Sequence, residues 1–342
     1  MSRKNKVLVI GNPGGLVDPD HWERFATYYD VIQYDFESQD EFHEALSYGS
    51  CSEISGIVRL GLRTPPTAAN VGQGWTRLAM KHFPLTLRVI VNFGHGFEEE
   101  DIEGLNIRGI KFYNSCGGSE STATIGTYLI IAAFRNLSRY ERMLRSGQFL
   151  PALRESLSSA LDVQNKHIGV IGMGAIGQTL AMQVAALGMH VHAVDRPSLR
   201  TIIEDPVKWP GQLKIQVHDT IDLLIPQVDC IVLTCPYSTE THHLLSRERF
   251  QSMKKGVRII NIARGKCMDE EALCEAIDQG IVGGVGLDVY ENEPQISARL
   301  LEKQDSVTLL PHVGGLTVDA MAKHAQICLD KIDKYLSRDK ST

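Results

Sequence analysis

The stretch 167–196, HIGVIGMGAIGQTLAMQVAALGMHVHAVDR, constrains the fold of this chain more than any other. It opens with an apolar run, 167–172, that ends in glycine and predicts a buried strand. Gly172, Gly174 and Gly177 follow in G-x-G-x-x-G order, and Ala175 and Ile176 open a helical pattern that stops at Gly188. A second apolar run, 191–194, closes on Asp195 and Arg196. Each part answers a need of a bound dinucleotide. Gly172 allows the tight turn, Gly174 lets backbone approach a pyrophosphate, and Gly177 lets helix pack on strand. The free N–H groups and positive dipole end of the helix then face phosphate. Asp195, about 20 residues further on, is an acceptor for ribose hydroxyls. Its charge disfavours a 2′-phosphate, so NAD is the expected cofactor, with Arg196 beside it leaving NADP open. A lone glycine pattern is weak; strand, helix, second strand and acid together are specific.

The rest of the chain alternates in the same way. Strand-like runs at 6–11, 31–34, 56–60, 87–93 and 110–114 are interleaved with helical patterns at 21–29, 39–46 and 75–82. After the fingerprint come strand-like runs at 214–217, 230–235, 258–263, 284–289 and 306–310, with helical patterns at 246–253, 270–278 and 319–335. Repeated βα units imply an α/β fold with mostly parallel sheets covered on both faces. A long helix is expected over 121–137. The basic, polar stretch 138–166 reads as more helix plus loop and as a candidate boundary. Gly11-Asn12-Pro13-Gly14-Gly15 lacks the fingerprint order, and Pro13 removes a donor; a turn is expected there, not a phosphate cradle.

A length of 342 residues suggests two domains. A net charge of −6 gives no reason to expect nucleic acid or an anionic membrane as a partner. The apolar run 128–134 falls far short of the ~18 residues of a membrane span, and the N-terminus lacks the long apolar core of a signal peptide. Cys51, Cys116, Cys230, Cys235, Cys267, Cys274 and Cys328 are scattered, with no C-x-x-C. They read as reduced, semi-buried residues of a cytoplasmic protein. His242 and His243 look like a metal pair, but no third ligand lies nearby, so no metal is expected.

Three polar residues follow the last strand-like runs. Arg264 comes directly after 258–263, Glu293 shortly after 284–289, and His312 shortly after 306–310. Singly, each has an ordinary reading: a solvated arginine, a surface glutamate, a structural histidine. Open α/β sheets, however, bind ligands beyond the carboxyl ends of their strands, and the three share that edge. Together they suit a 2-oxo acid. Arg264 offers a fork of donors for a carboxylate and the adjacent carbonyl oxygen. His312 exchanges a proton with the oxygen that becomes alkoxide as hydride arrives, and Glu293 holds its tautomer and favours its charged form.

These residues also carry a resemblance. The motifs IGMGAIG with Asp195, CPYSTETHHLL at 235–245, INIARG at 260–265, GLDVYENEP at 286–294 and LLPHVGG at 309–315 stand in family order. The chain resembles the D-isomer-specific 2-hydroxyacid dehydrogenases over nearly its whole length. NSCGGSESTAT, YLIIAAFR and DVYENEPQISARLLE make it most similar to the fungal D-mandelate dehydrogenase branch. The resemblance implies two Rossmann-like or flavodoxin-like domains with an active-site cleft between them. Residues 1–118, completed by a C-terminal helix at 317–342, would be the substrate domain, and 119–316 the NAD-binding domain. It implies that Arg264, Glu293 and His312 are catalytic and that Asp288 contacts the nicotinamide carboxamide. Backbone around Pro236 and Ala263 would line the cofactor site, with Cys235, Thr241, Gly314, Gly315 and Thr124 also assigned to it. The loops Leu60-Gly61-Leu62 and Gly94-His95-Gly96 would bind the substrate carboxylate. A homodimer through the dinucleotide domain is usual for the family. Thr122-Ala123-Thr124 and the sequence at 94–98 depart from the common pattern, which leaves the substrate open: aromatic or branched-chain 2-oxo acids, or glyoxylate and hydroxypyruvate. The alternative is an NAD-responsive corepressor of the same fold, although the intact Arg, Glu and His set is more than a scaffold needs.

Overall fold

The computed structural model describes residues 4–61, 74–94, 96–98, 100–195 and 214–338. Leu62, His95 and Arg196 lie outside the described residues. The chain divides into two compact units, Met1–Gly118 with Leu316–Thr342, and Ser119–Gly315.

The first unit holds a parallel five-stranded sheet. Its strands are β1 (Lys6–Ile10), β2 (Asp30–Gln33), β3 (Ile54–Arg59), β4 (Val89–Asn92) and β5 (Lys111–Asn114), in the order β2-β1-β3-β4-β5. Successive side chains on a strand point to opposite faces, and β1 shows the result. Leu8 and Ile10 pack with Phe42, Leu46, Ile57, Trp75 and Ile90 on one side. Val7 and Val9 pack with Phe25, Val58, Val89 and Val91 on the other. That second face is completed by the C-terminal helix Val318–Arg338, through Ala325, Cys328, Leu329, Ile332 and Leu336. The segment after β1 folds as a turn, with the N–H groups of Leu16 and Val17 donating to Pro13 O.

The second unit holds a parallel seven-stranded sheet. Its strands are β6 (His167–Ile171), β7 (His190–Val194), β8 (Ile215–His218), β9 (Cys230–Leu233), β10 (Val257–Asn261), β11 (Val282–Leu287) and β12 (Val307–Leu309). The order β12-β11-β10-β9-β6-β7-β8 reverses direction between β6 and β9, which is the switch point where such sheets open a crevice. Helices Ser119–Arg135 and Ala175–Ala186 cover one face against Ile168, Val170, Val232 and Ile260. Ile231, Leu233, Ile259 and Val285 pack with Leu224, Phe250 and Leu273 on the other.

Some sequence expectations change. The helical patterns at 75–82 and 246–253 shrink to Arg77–Met80 and Arg247–Gln251. Helices Ile102–Ile107 and Ala298–Glu302 are too short to show a period in sequence. The stretch 138–166 forms two helices, Leu137–Arg145 and Phe149–Ser159, separated at Gly147, and neither contains a buried residue. Cys116 is exposed rather than semi-buried, and it occupies a left-handed position (φ 50°) in the connection that follows β5.

A row of histidines crosses three strands of the second sheet. His167 Nδ1 lies 2.7 Å from His192 Nε2, and His192 Nδ1 lies 2.8 Å from His218 Nε2. His192 is 2% exposed. A neutral ring there donates through one nitrogen and accepts through the other, so no proton is wanting and none is in excess. Burial lowers its pKa to about 4, with the neighbouring His167, His218, Lys254 and His190 adding to the effect. The unfolded chain takes up this proton near pH 6.5. Stability from this ring is therefore complete above pH 6.5 and is lost as pH falls towards 4, by roughly 3 kcal/mol. The urea midpoint is expected to drop steeply between pH 6.5 and 4.5; a flat midpoint across that window would contradict the assignment.

Candidate active site

The fingerprint glycines occupy the switch point. Gly172 follows β6 with φ 109°, and a β-carbon there would lie 2.6 Å from Cys235 N, in the loop after β9. Thr234 fastens the two loops by donating its N–H to Ile171 O at 2.9 Å and its hydroxyl to Gly172 O at 2.6 Å. At Gly177 a β-carbon would fall 2.0 Å from Gly172 O, so helix and turn touch through backbone alone. Gly174 differs: a β-carbon there would meet nothing. It is the N-cap of helix Ala175–Ala186, and no side chain caps that end. An open helix N-terminus with bare backbone in front of it fits a pyrophosphate. Asp195 follows β7, its N–H donating to His218 O at 2.7 Å. The acid that would meet the ribose is thereby fixed to the end of the neighbouring strand.

Beyond β10 the chain turns on Asn261, which is fully buried. Its Oδ1 accepts from Ala263 N–H at 3.0 Å and its Nδ2 donates to Arg264 O at 3.0 Å. Arg264 NH1 donates to Ala263 O at 2.7 Å. Next to it, Gly265 packs directly on the backbone of Tyr290 and Glu291. Tyr290 is a second brace: its hydroxyl donates to Leu310 O at 2.8 Å, and its N–H donates to Glu293 Oε1 at 2.9 Å.

Glu293 Oε2 meets His312 Nδ1 at 2.8 Å. The His312 side chain is about half exposed, and among the described residues its Nε2 makes no hydrogen bond. Burial works against the Glu293 carboxylate, but the bonds from His312 and Tyr290 N–H and the charges of His312 and Arg264 outweigh it, holding the carboxyl below its usual range. The backbone at His312 is left-handed (φ 56°), which is costly for a residue with a β-carbon. Asp288, only 2% exposed, holds it there. Its two oxygens accept from the N–H groups of Val313 at 2.8 Å and Gly314 at 2.7 Å. Burial raises the Asp288 pKa even though these two bonds oppose it.

Arg264, Asp288, Glu293 and His312 thus follow β10, β11 and β12 on one edge, and Gly172, Cys235 and Ala263 share that edge beyond β6, β9 and β10. Thr241 closes the turn after Pro236, with its hydroxyl donating to Pro236 O at 2.8 Å. Thr124 lies on helix Ser119–Arg135, its hydroxyl donating to Glu120 O and accepting from Gln183 Nε2 of helix Ala175–Ala186. In the first unit, Leu60, Gly61, Gly94 and Gly96 follow β3 and β4. Gly61 and Gly94 have φ of 100° and 95°, and Gly94 N–H donates to Ser115 Oγ at 2.9 Å. Asn261 and Tyr290 had no role in the sequence reading. Their only trace there is position: an asparagine ending a strand can fold the backbone after it, and an aromatic beside a polar loop has a hydroxyl to place.

Residues 127–314 match the family model described as D-isomer specific 2-hydroxyacid dehydrogenase, NAD binding domain. The crystal structure of Rhodotorula graminis D-mandelate dehydrogenase is similar, with a TM-score of 0.88 and 31% identity, covering 97% of this chain and 94% of that one. The 4-methyl-2-oxopentanoate reductase A of Aspergillus oryzae is 27% identical over 93% of this chain and 92% of its own length. A glyoxylate reductase of Pyrococcus horikoshii is 34% identical over 70% of this chain and 71% of its own. The chain belongs to the D-isomer specific 2-hydroxyacid dehydrogenase family, and is an NAD(P)-dependent oxidoreductase acting on the CH–OH group of 2-hydroxy acids.

Proposed function

We propose that this enzyme reduces aromatic or branched-chain 2-oxo acids to D-2-hydroxy acids, with His312 as acid and base, Glu293 as its orienting partner and Arg264 as the carboxylate anchor. The observation that carries the reading is the 2.8 Å contact of His312 Nδ1 with Glu293 Oε2 on the edge that also bears Arg264. When bound, the dinucleotide supplies the hydride. Arg264 holds the substrate carboxylate and draws charge from its carbonyl oxygen. With Nδ1 committed to Glu293, His312 delivers its proton from Nε2 to the oxygen that becomes the hydroxyl. Glu293 balances the charge of the imidazolium before transfer and keeps the ring's tautomer after it. Asp288 acts through the backbone of Val313 and Gly314 as well as by any bond to a carboxamide.

Aromatic and branched side chains are favoured by the D-mandelate dehydrogenase structure, at a TM-score of 0.88 and 31% identity, and by the 4-methyl-2-oxopentanoate reductase matched over 93% of this chain. Glyoxylate and hydroxypyruvate are the second choice: structures of reductases so named also cover 97–98% of this chain, but at lower TM-scores of 0.82 and 0.74 and 25% identity. NAD is favoured over NADP by the charge of Asp195. The loops at 60–62 and 94–96 are assigned to the substrate carboxylate. Residues 1–118 with the C-terminal helix are read as the substrate domain, and 119–316 as the cofactor domain. We place the enzyme in the cytoplasm, where thiols at all seven cysteines suit a reducing compartment. A homodimer is supported by the exposed Leu144, Phe149, Leu150, Leu153 and Leu157 on helices Leu137–Arg145 and Phe149–Ser159.

The test is oxidation of NADH and NADPH by the purified protein with phenylglyoxylate, 4-methyl-2-oxopentanoate, glyoxylate and hydroxypyruvate. The expected order is phenylglyoxylate or 4-methyl-2-oxopentanoate first, with NADH preferred. No oxidation with any of the four sinks the proposal.

A further inference from the structure

His243 lies beyond β9, outside the catalytic set, in a left-handed backbone conformation (φ 46°) without being glycine. Such strain persists only where the surroundings impose it, and it marks places where geometry serves a purpose. Two contacts impose it here. The His243 N–H donates to Lys266 O at 2.9 Å, in the turn that follows Arg264. Its ring Nε2 meets Glu291 Oε1 at 2.7 Å, in the loop that carries Glu293. One residue therefore grips both loops.

The far side of Glu291 is fastened as well. Its N–H donates to Glu270 Oε1 at 2.6 Å, and Glu270 N–H returns a longer bond to Glu291 Oε2 at 3.4 Å. Glu270 is only 6% exposed. Between the grips the two loops touch without side chains, because a β-carbon on Gly265 would fall 1.8 Å from the carbonyl carbon of Tyr290. The spacing of Arg264 from Glu293 is thus a backbone contact, clamped at one end by His243 and at the other by Glu270. An ordinary surface ion pair contributes little, and it would account neither for the left-handed backbone nor for the second bond to Lys266.

We propose that His243 is a positioning residue for the reaction: acting through Glu291 and Lys266, it sets the distance between Arg264 and Glu293. In this way it sets the aim of His312 at a substrate held by its carboxylate. The proposal rests on the catalytic roles given above.

Glycine at 243 keeps the left-handed backbone and its N–H but removes the ring, so His243→Gly isolates the side chain from the fold. It is expected to lower kcat about tenfold and to leave the KM for NADH unchanged. The acid limb of the kcat profile should move to higher pH, because a less firmly held Glu293 takes its proton sooner. His243→Asn, which tolerates the backbone and offers an N–H donor, should recover part of the rate. Glu291→Ala should match His243→Gly, and the double variant should be no slower than either. A carbon-detected NMR titration of the Glu293 carboxyl, assigned with Glu293→Gln, should move upward in His243→Gly whatever the turnover. An active wild type with an equally active His243→Gly, an unmoved acid limb and an unmoved Glu293 titration overturns the clamp and leaves the reductase reading intact. Multiplying losses in the double variant overturn it too. A wild type that reduces no 2-oxo acid defeats the reductase reading instead, and the Glu293 titration then decides the clamp by itself.

Discussion

His312→Ala is expected to lower kcat with the preferred 2-oxo acid by about 10³-fold, within the range that a positioned acid contributes, and to leave NADH binding within about twofold. The ring is placed for one task. Its Nδ1 is tied to Glu293, its Nε2 makes no bond among the described residues, and its strained backbone is held by Asp288 through Val313 and Gly314. None of these contacts reaches Gly174 or Asp195, so the cofactor end should not register the loss. Alanine also inherits the left-handed backbone, which adds a stability cost of its own. His312→Gly removes that cost and should be as slow. Steady-state rates and a fluorescence titration of NADH, measured on both variants, check this. A near-wild-type rate in either contradicts the assignment of His312.

Arg264→Ala is expected to lower kcat/KM for the 2-oxo acid by about 10²- to 10³-fold, through both a raised KM and a lowered kcat, with KM for NADH little changed. Arg264→Lys should recover only part, because an ammonium offers a point charge in place of a planar fork. A second signature separates this residue from a generic anchor. The guanidinium charge helps keep the Glu293 carboxyl below its usual range. Without it Glu293 takes a proton at higher pH, so the acid limb of the kcat profile should shift upward in Arg264→Ala and much less in Arg264→Lys. Loss of affinity for NADH, with 2-oxo acid KM unchanged, would reassign Arg264 to the cofactor.

The fingerprint was legible because its parts are contiguous: a strand, three glycines, a helix and an acid satisfy one ligand within one βαβ unit. Arg264, Glu293 and His312 were legible for a different reason. Each stands just past an apolar run, and the topology of parallel sheets brings such positions to one edge. What holds them there was not legible. The grip of Asp288 on Val313 and Gly314, the bond of Tyr290 to Leu310 and the clamp of His243 on Glu291 join residues far apart in sequence, and they depend on how close two loops come. The histidine row was hidden similarly. His190 and His192 alternate visibly along one strand, but the pairing of His192 with His167 and His218 requires β7 to lie between β6 and β8.

The C-terminal helix Val318–Arg338 closes the second face of the first sheet, and this has a consequence for biosynthesis. The strands β1 to β5 leave the ribosome early, yet the helix that covers Val7, Val9, Val58, Val89 and Val91 follows only after Ser119–Gly315 has been made. At about 5–20 residues per second, that interval is on the order of ten to forty seconds. The inserted unit, continuous in sequence, can bury both of its own faces as soon as it emerges. The unit begun first is therefore finished last, and its half-covered sheet is the nascent surface that most needs shielding by a chaperone.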